Sequence, residues 1–532
     1  MTQLDKSRQN ASLRRVAIVG SGPGGLVTAK YLKEHGFEPI IFDQADDIGG
    51  QWNVRSPSSG IWPTMVTNTS RLLTCFSDLG HRPETALFLS NKEILSYLHR
   101  YADRYGLFSH LRLSTRVELI EPSTGDATLK VRFRSNGSEP KTEAFPLVVL
   151  ASGRFNKPFI PPVQGLDSFS GSGGVIHSFH YKEPANFRGL RVLVAGCAIS
   201  ALEIASDLAM LGAARIVSTF RRQRYVVQKL VAGVPSDALA FTRFAALTGE
   251  VTPKEIVGKT MEEYVLRTFG SPEMFGAFKP AGDFATVGRA LSQHYLPLVA
   301  EGRIMVKPWI DKIAGQIVQF SDGSAEEFDA IVFGTGFDLS LPFLSAEISR
   351  SLDLDAKHID LYKNTFHPDW PGLAFVGLYE QTGPYFTPLE LQARWITYVW
   401  SKILQAPSPK EMWAGITAYR SKRGGPQLQS MHTISLMFAR EAHVEPDLSQ
   451  QLALARALLF GPLTSVSFRL SGPGSLPDVA AQIIAEARSI GTVPTPQFSN
   501  EEFTKLQVLA SARNDPRFTD LVNLARSSSE SA

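Results

Sequence analysis

Cysteine is almost missing from this 532-residue chain: Cys75 and Cys197 lie 122 positions apart, outside any Cys-x-x-Cys spacing. That scarcity argues against a disulfide framework, a cysteine-built zinc site and a dithiol redox centre. Net charge is low as well. A formal balance of +3 gives no electrostatic case for binding nucleic acid. No run reaches the roughly 18 apolar residues of a membrane-spanning helix, so no transmembrane segment is expected. Met1 to Arg15 is polar and mixed in charge, without the apolar stretch of a signal peptide, and the expected setting is cytoplasmic. Ser-His-Asp spacings, metal-ligand clusters and paired carboxylates do not stand out either. So little acid–base or nucleophilic machinery suits chemistry carried by a cofactor. With 43% hydrophobic and 20% charged residues, the chain is an ordinary globular one, long enough for two or three domains.

What it does carry is two glycine-marked turns that end differently. The first is Val19-Gly20-Ser21-Gly22-Pro23-Gly24-Gly25, after the apolar strand Val16-Ala17-Ile18-Val19 and before a helix expected over 25–35. Gly20 permits the tight turn, Gly22 lets the backbone approach a pyrophosphate, and Gly25 lets helix pack on strand. The helix N-terminus presents free N–H groups to phosphate. A second strand, 39–42, closes on Asp43, 23 residues past Gly20, where an acid accepts hydrogen bonds from ribose hydroxyls. That combination points to FAD. Just beyond, Gly50-Gln51-Trp52 offers close backbone approach, an amide and a flat ring to the same site.

The second turn is Val194-Ala195-Gly196-Cys197-Ala198-Ile199-Ser200-Ala201, with a strand over Arg191–Ala195, a helix over 200–211 and a strand over 215–220. Gly196 keeps the tight turn and Ser200 opens the helix at the phosphate end, while Ala198 and Ala201 replace the second and third glycines. Arg221-Arg222 stands where an acid would select NADH; two guanidinium groups there offer a charge-assisted clamp for a 2′-phosphate, hence NADPH. The competing reading is a solvated basic turn that includes Arg224.

With these turns the chain resembles the flavin-containing monooxygenases, the class B flavoprotein monooxygenases. Four further stretches carry the likeness: Thr67-Asn68-Thr69-Ser70; Gly173 to Tyr181, similar to a fingerprint FxGxxxHxxxY between the nucleotide domains; Asp329 to Phe337, similar to D-x-V-x-x-A-T-G-Y; and Glu390 to Trp395. The likeness runs from about residue 14 to about 475. Departures are Gly171 at the fingerprint phenylalanine position, Gly334 for the usual Ala and Phe337 for the usual Tyr. The resemblance implies a catalytic hydrogen-bond donor at Asn68, adenine contact at Val117 after a strand over 111–116, and backbone approach to FAD at Thr335 and Gly336. It implies that His177 and Tyr181 brace the linker. It further implies that NADPH reduces FAD, that reduced flavin and dioxygen form a C4a-hydroperoxide, and that a small-molecule amine or sulfide takes one oxygen atom.

The fold expected is α/β: two Rossmann-like dinucleotide-binding domains, with the NADPH domain (163–327) inserted in a split FAD domain (14–162 and 328–446), and a partly helical C-terminal extension (447–532). That extension includes a helix over 448–459. The stretch 223–300, without a motif of its own, is expected to shape substrate access. Assembly is not read from the sequence; a homodimer is carried as one expectation. Two other chemistries stay open: Baeyer–Villiger oxygenation of a ketone, and a pyridine nucleotide-disulfide reductase. Tyr181, where Baeyer–Villiger enzymes carry Trp, favours N- or S-oxygenation, and the cysteine spacing disfavours the reductase.

Overall fold

The computed structural model describes residues 14–424, 428–491, 493, 495 and 497–530, without the side chains of 527–530. In chain order the first fold supplies β1 (Arg15–Val19), α1 (Pro23–Glu34), β2 (Glu38–Phe42), β3 (Leu111–Arg112) and β4 (Leu147–Leu150). The second follows with β5 (Gly174–His177), β6 (Arg191–Ala195), α2 (Ile199–Leu211), β7 (Arg215–Thr219), β8 (Met305–Lys307) and β9 (Ala330–Phe333). The chain then returns with β10 (Leu373–Phe375) and α3 (Phe386–Trp400). Two five-stranded parallel sheets result, ordered β10-β4-β1-β2-β3 and β5-β9-β6-β7-β8. The central strands are continuous apolar runs because both faces are covered: Val16 to Ile18, Val192 to Ala195 and Ala330 to Phe333 are all fully buried.

The domain boundary placed at 327/328 falls one strand early. Ala330 pairs with both Gly174 and Val192, so β9 is an inner strand of the second sheet and the chain crosses back only after Phe333. The crossing is a hydrogen-bonded hinge in which Lys157–Pro158 pairs antiparallel with Phe337–Asp338. The strand expected over 111–116 is broken as well. It stops at Arg112, turns at Ser114 (φ +49°), and resumes as Thr115–Pro122, so Val117 lies inside the new strand. That strand opens an antiparallel meander with Leu129–Ser135 and Lys141–Phe145, whose Phe133 and Phe145 pack on Phe42 of β2.

The C-terminal helices are integral to the first fold. Leu506, Leu509, Phe518 and Leu521 are buried in the same apolar core as Val16 and Leu26. The helix expected over 448–459 divides at Gln451 into a short turn, Leu448–Gln450, and a helix, Leu452–Phe460. Helix α3 lies against α1, with its polar residues satisfied inside the core: Glu390 accepts from Tyr31 Oη and Ser77 N at 2.7 Å each. Gln392 accepts from Gly377 N and donates to Asn364 O, Thr365 Oγ1 and Phe375 O. Among the described residues, no helix is long and apolar enough to cross a membrane.

Candidate active site

The first turn sits at the carboxyl ends of β1 and β4, where open α/β sheets take ligands. Gly20 has φ +107°, and a Cβ there would stand 2.4 Å from Ala151 O; only glycine fits. Helix α1 starts with no side-chain cap and no acid in its first turn. The helix 91–104, by contrast, is closed by a Ser90–Glu93 capping box. An uncapped N-terminus beside a cleft leaves donors for an anion. Asp43 accepts from Ser21 N and Oγ at 2.7 Å and from Ala45 N at 2.9 Å, which fixes its carboxylate at the end of β2.

Two joined cavities, of about 560 and 220 Å³, run from this point and share Gly20, Asp43, Ser58, Ser152 and Asn156. The larger extends past Gln44 and Thr115 to Val117. The smaller runs the other way, along Gly22, Gly50, Gln51 and Trp52 to Thr69, Thr74, Gly383 and Tyr385. Gly50, at φ +56°, lies so close to Gly22 that a Cβ would meet its Cα at 2.9 Å. Together they make an elongated space that runs from Val117 past Gly20 and Gly22 to Trp52 and Thr69. The loop 152–156 and the segments 376–377 and 383–389 also line the cleft, although the sequence marked none of them as ligand contacts. The signal available was Ala151-Ser152-Gly153 at the end of β4, which occupies the place that Gly334-Thr335-Gly336 holds after β9.

The second turn repeats the first bond for bond. Gly196 N donates to Thr219 O as Gly20 N does to Phe42 O, and Gly334 N to Ala195 O as Ala151 N does to Val19 O, each at 2.8–2.9 Å. Helix α2 is likewise uncapped and has no acid in its first turn, where Ser200 stands. The two departures from pattern compensate one another. Ala201 takes the place of Gly25, and its added methyl is accommodated because Gly334 takes the place of Ala151. A Cβ at Gly334 would lie 2.7 Å from Ala201 Cβ and 2.9 Å from its Cα and N. The equivalence also shifts the basic pair by one position. Phe220, buried, stands where Asp43 does, and Arg221 and Arg222 follow it, both exposed. Arg221 lies over the Trp309 ring at 4.8 Å.

Thr335 and Gly336 are not in the first cleft. They cap β9 at the hinge, where Thr335 Oγ1 donates to Phe159 O at 2.6 Å and Gly336 O accepts from Phe159 N at 3.0 Å. Strand order explains the displacement, since β9 hydrogen-bonds in the second sheet and carries its loop there. Asn68 stands beside the cavity wall formed by Thr69 and Thr74, whose hydroxyls are 2.9 Å apart. Its Oδ1 is buried without a hydrogen-bond partner among the described residues. Tyr181, fully buried, donates to Asp207 Oδ2 at 2.9 Å and meets Trp62 edge-on, while Lys182 binds Ser59 O and Ile61 O. His177 Nδ1 accepts from Phe179 N, and burial pulls the imidazole down to about 4, so it stays neutral near pH 7. Cys75 and Cys197 are both free thiols, in the first and second cores respectively.

A split fold with two such turns, and an elongated cleft at the first, defines the class of two-domain dinucleotide-binding proteins. The comparison with known families narrows it. Residues 13–502 match the FMO-like family, "Flavin-binding monooxygenase-like", so the chain belongs to that family and the likeness extends past 475. It is 32% identical over 503 residues to "Dimethylaniline monooxygenase [N-oxide-forming] 2" of Rattus norvegicus, covering 90% of this chain and 92% of that one. It is also 32% identical to "Flavin-containing monooxygenase 2" of Homo sapiens, over 87% and 89%. Among solved structures it resembles the S-allyl-L-cysteine S-oxygenase of Allium sativum (TM-score 0.57, 20% identity, 98% and 99% covered). A caprolactone-bound cyclohexanone monooxygenase is similar too (TM-score 0.62, 19% identity, 81% and 97% covered). The chain is thus a flavin-dependent monooxygenase, acting on a small molecule and dioxygen.

Proposed function

We propose that this enzyme holds FAD in the first cleft, takes NADPH on the second fold, and oxygenates a soft nucleophile, an amine nitrogen or a sulfide sulfur. The observation that carries the reading is a pair of uncapped helix N-termini with opposite strand-end chemistry, Asp43 at one and Arg221-Arg222 at the other. Bound flavin supplies the acceptance of hydride and the activation of dioxygen. The chain's own part is placement. Gly20, Gly22 and the N–H groups of α1 receive one diphosphate; Asp43 receives the ribose hydroxyls beside it. Gly196, Ser200 and the start of α2 receive the other diphosphate, and Arg221 and Arg222 the 2′-phosphate. Apolar side chains of Phe155, Val376, Tyr385, Phe386 and Leu389 keep water from the flavin end of the cleft. Asn68 offers an amide N–H donor at that end. Tyr181 and His177 hold the linker and move no proton. The N-oxide-forming relative, at 32% identity, supports oxygenation of a heteroatom over the ketone reaction, as does Tyr181 in the place of Trp.

The test is oxygen-dependent NADPH consumption by the yellow protein, with a tertiary amine and a thioether as probes. Wild type should consume NADPH and dioxygen in step with product. Asn68→Ala should keep its flavin but release hydrogen peroxide instead of product; full coupling in that variant refutes the role of Asn68. A wild-type protein that loads flavin yet oxidises no NADPH refutes the reading. The proposal includes a cytoplasmic setting, which the unpaired thiols suit, and a homodimer, which sedimentation of the purified enzyme checks.

A further inference from the structure

Arg289 opens the short strand Arg289–Leu291 in the otherwise motif-free stretch 223–300. It is half-buried, and among the described residues no carboxylate lies within 4.0 Å of its guanidinium. Arg154, Arg243 and Arg456, by contrast, each reach a glutamate. Among the described residues, the hydrogen bond that Arg289 makes runs from Nη2 to Thr382 Oγ1, at a long 3.3 Å. The Phe241 and Phe284 rings stand 6.0 and 5.7 Å from its Cζ, the outer edge of cation–π contact. Burial therefore pulls the guanidinium below its usual range with little to offset the cost.

Its hydrogen-bond partner adjoins the end of the cleft lined by Trp52 and Tyr385. Thr382 precedes Gly383, which lines the smaller cavity, and a Cβ at Gly383 would touch Phe241, the ring beneath Arg289. Around this wall Tyr379 Oη, Gln381 Oε1 and His432 Nδ1 are buried without hydrogen-bond partners among the described residues. His432, packed on Phe241, is pulled to about 4 by burial and by Arg289 itself, so it adds no second cation. A charge drawn partly out of water is best retained when something pairs with it. We propose that Arg289 is the receptor for a carboxylate on the substrate, so that the molecule oxygenated is an anionic thioether or amine.

This rests on the oxygenation reading, and the experiment separates the two. Flavin-loaded enzyme is given methylthiopropanoate or its methyl ester with NADPH, and the acid is also titrated alone against the flavin absorbance spectrum. Wild type should prefer the acid in kcat/KM. Arg289→Gln should lower kcat/KM for the acid about ten- to hundredfold more than for the ester, mainly through KM. Arg289→Lys should recover part of the difference, and the spectral Kd of the acid should weaken in parallel. Equal losses for both probes, or a wild type indifferent to the charge, overturns the proposal. If neither probe is oxidised while the acid binds wild type and not Arg289→Gln, the oxygenation reading fails and the anion site stands.

Discussion

Gly334→Ala is expected to destabilise the second fold, and Ala201→Gly to undo the damage. The new methyl would sit 2.7 Å from Ala201 Cβ and 2.9 Å from its backbone N and Cα, so no rotamer change relieves the clash. Either β9 or the start of α2 must shift, and β9 is an inner strand bonded on both sides. Overpacking of this kind costs about 1–3 kcal/mol. In a domain of 150–250 residues each kcal/mol is worth about 2–4 °C. A fall of about 2–12 °C is expected in the transition of the second fold. Ala201→Gly alone should cost about 1 kcal/mol, from a flexible residue early in a helix. The double variant recreates the Gly25–Ala151 arrangement of the first fold and should recover at least about 1 kcal/mol of the summed losses. The assay is a double-mutant cycle on flavin-loaded protein, followed by urea unfolding and by the KM for NADPH, which rises if the start of α2 moves. Additive losses, with coupling below about 0.3 kcal/mol, would show that the exchange is not compensatory.

Two other outcomes follow from the site. Replacing Arg221 and Arg222 together with Ala should raise the KM for NADPH about tenfold or more while changing that for NADH little, because charge-assisted contacts to the 2′-phosphate are what is lost; equal effects on both coenzymes would remove the clamp. Asp237, whose Oδ2 accepts from Ser70 N at 2.6 Å and whose Oδ1 has no partner among the described residues, is raised to about 6 by burial. The folded state thus holds this proton more tightly than the unfolded chain. The resulting stability is full below about pH 4 and lost as pH rises through about 6, up to about 3 kcal/mol. Asp237→Asn keeps the acceptor and should flatten that loss, so unfolding midpoints of variant and wild type that stay parallel from pH 4.5 to 8 would refute it.

The cleft at the first turn was legible because each feature that shapes it is tied to a local spacing. A tight turn, a close approach and an acid at the next strand end all lie within 25 residues, and the structure brings Gly20, Gly22, Asp43, Gly50, Gln51, Trp52 and Val117 to one cleft. Residues set by strand order were not legible. Four apolar residues such as Ala330 to Phe333 pair equally well in either sheet, and which sheet takes them decides whether Thr335 and Gly336 face the first cleft or the hinge. The walls at 152–156, 376–377 and 383–389 come from chain far from Gly20, carry no spacing rule, and are assembled only by the fold. Gln392 is illegible for a similar reason, since a buried polar side chain on a helix reads alike whether it binds cofactor or backbone.

The same turn has therefore been used twice with different closure. At the first site the selecting acid is 8% exposed and held by three donors, and distant segments fold over the cleft. At the second, a buried phenylalanine occupies the acid's place, and Arg221 and Arg222 stand outside it, exposed, with one guanidinium steadied by an indole. Exposed charge contacts are weak and screened by salt, whereas buried, fully bonded ones are not. On the proposed reading this is the division the reaction needs: a flavin that stays through every cycle and a pyridine nucleotide that must arrive and leave in each. It follows that salt should weaken NADPH binding well before it strips the flavin. A flavin lost at lower ionic strength than NADPH would contradict the assignment of the two turns.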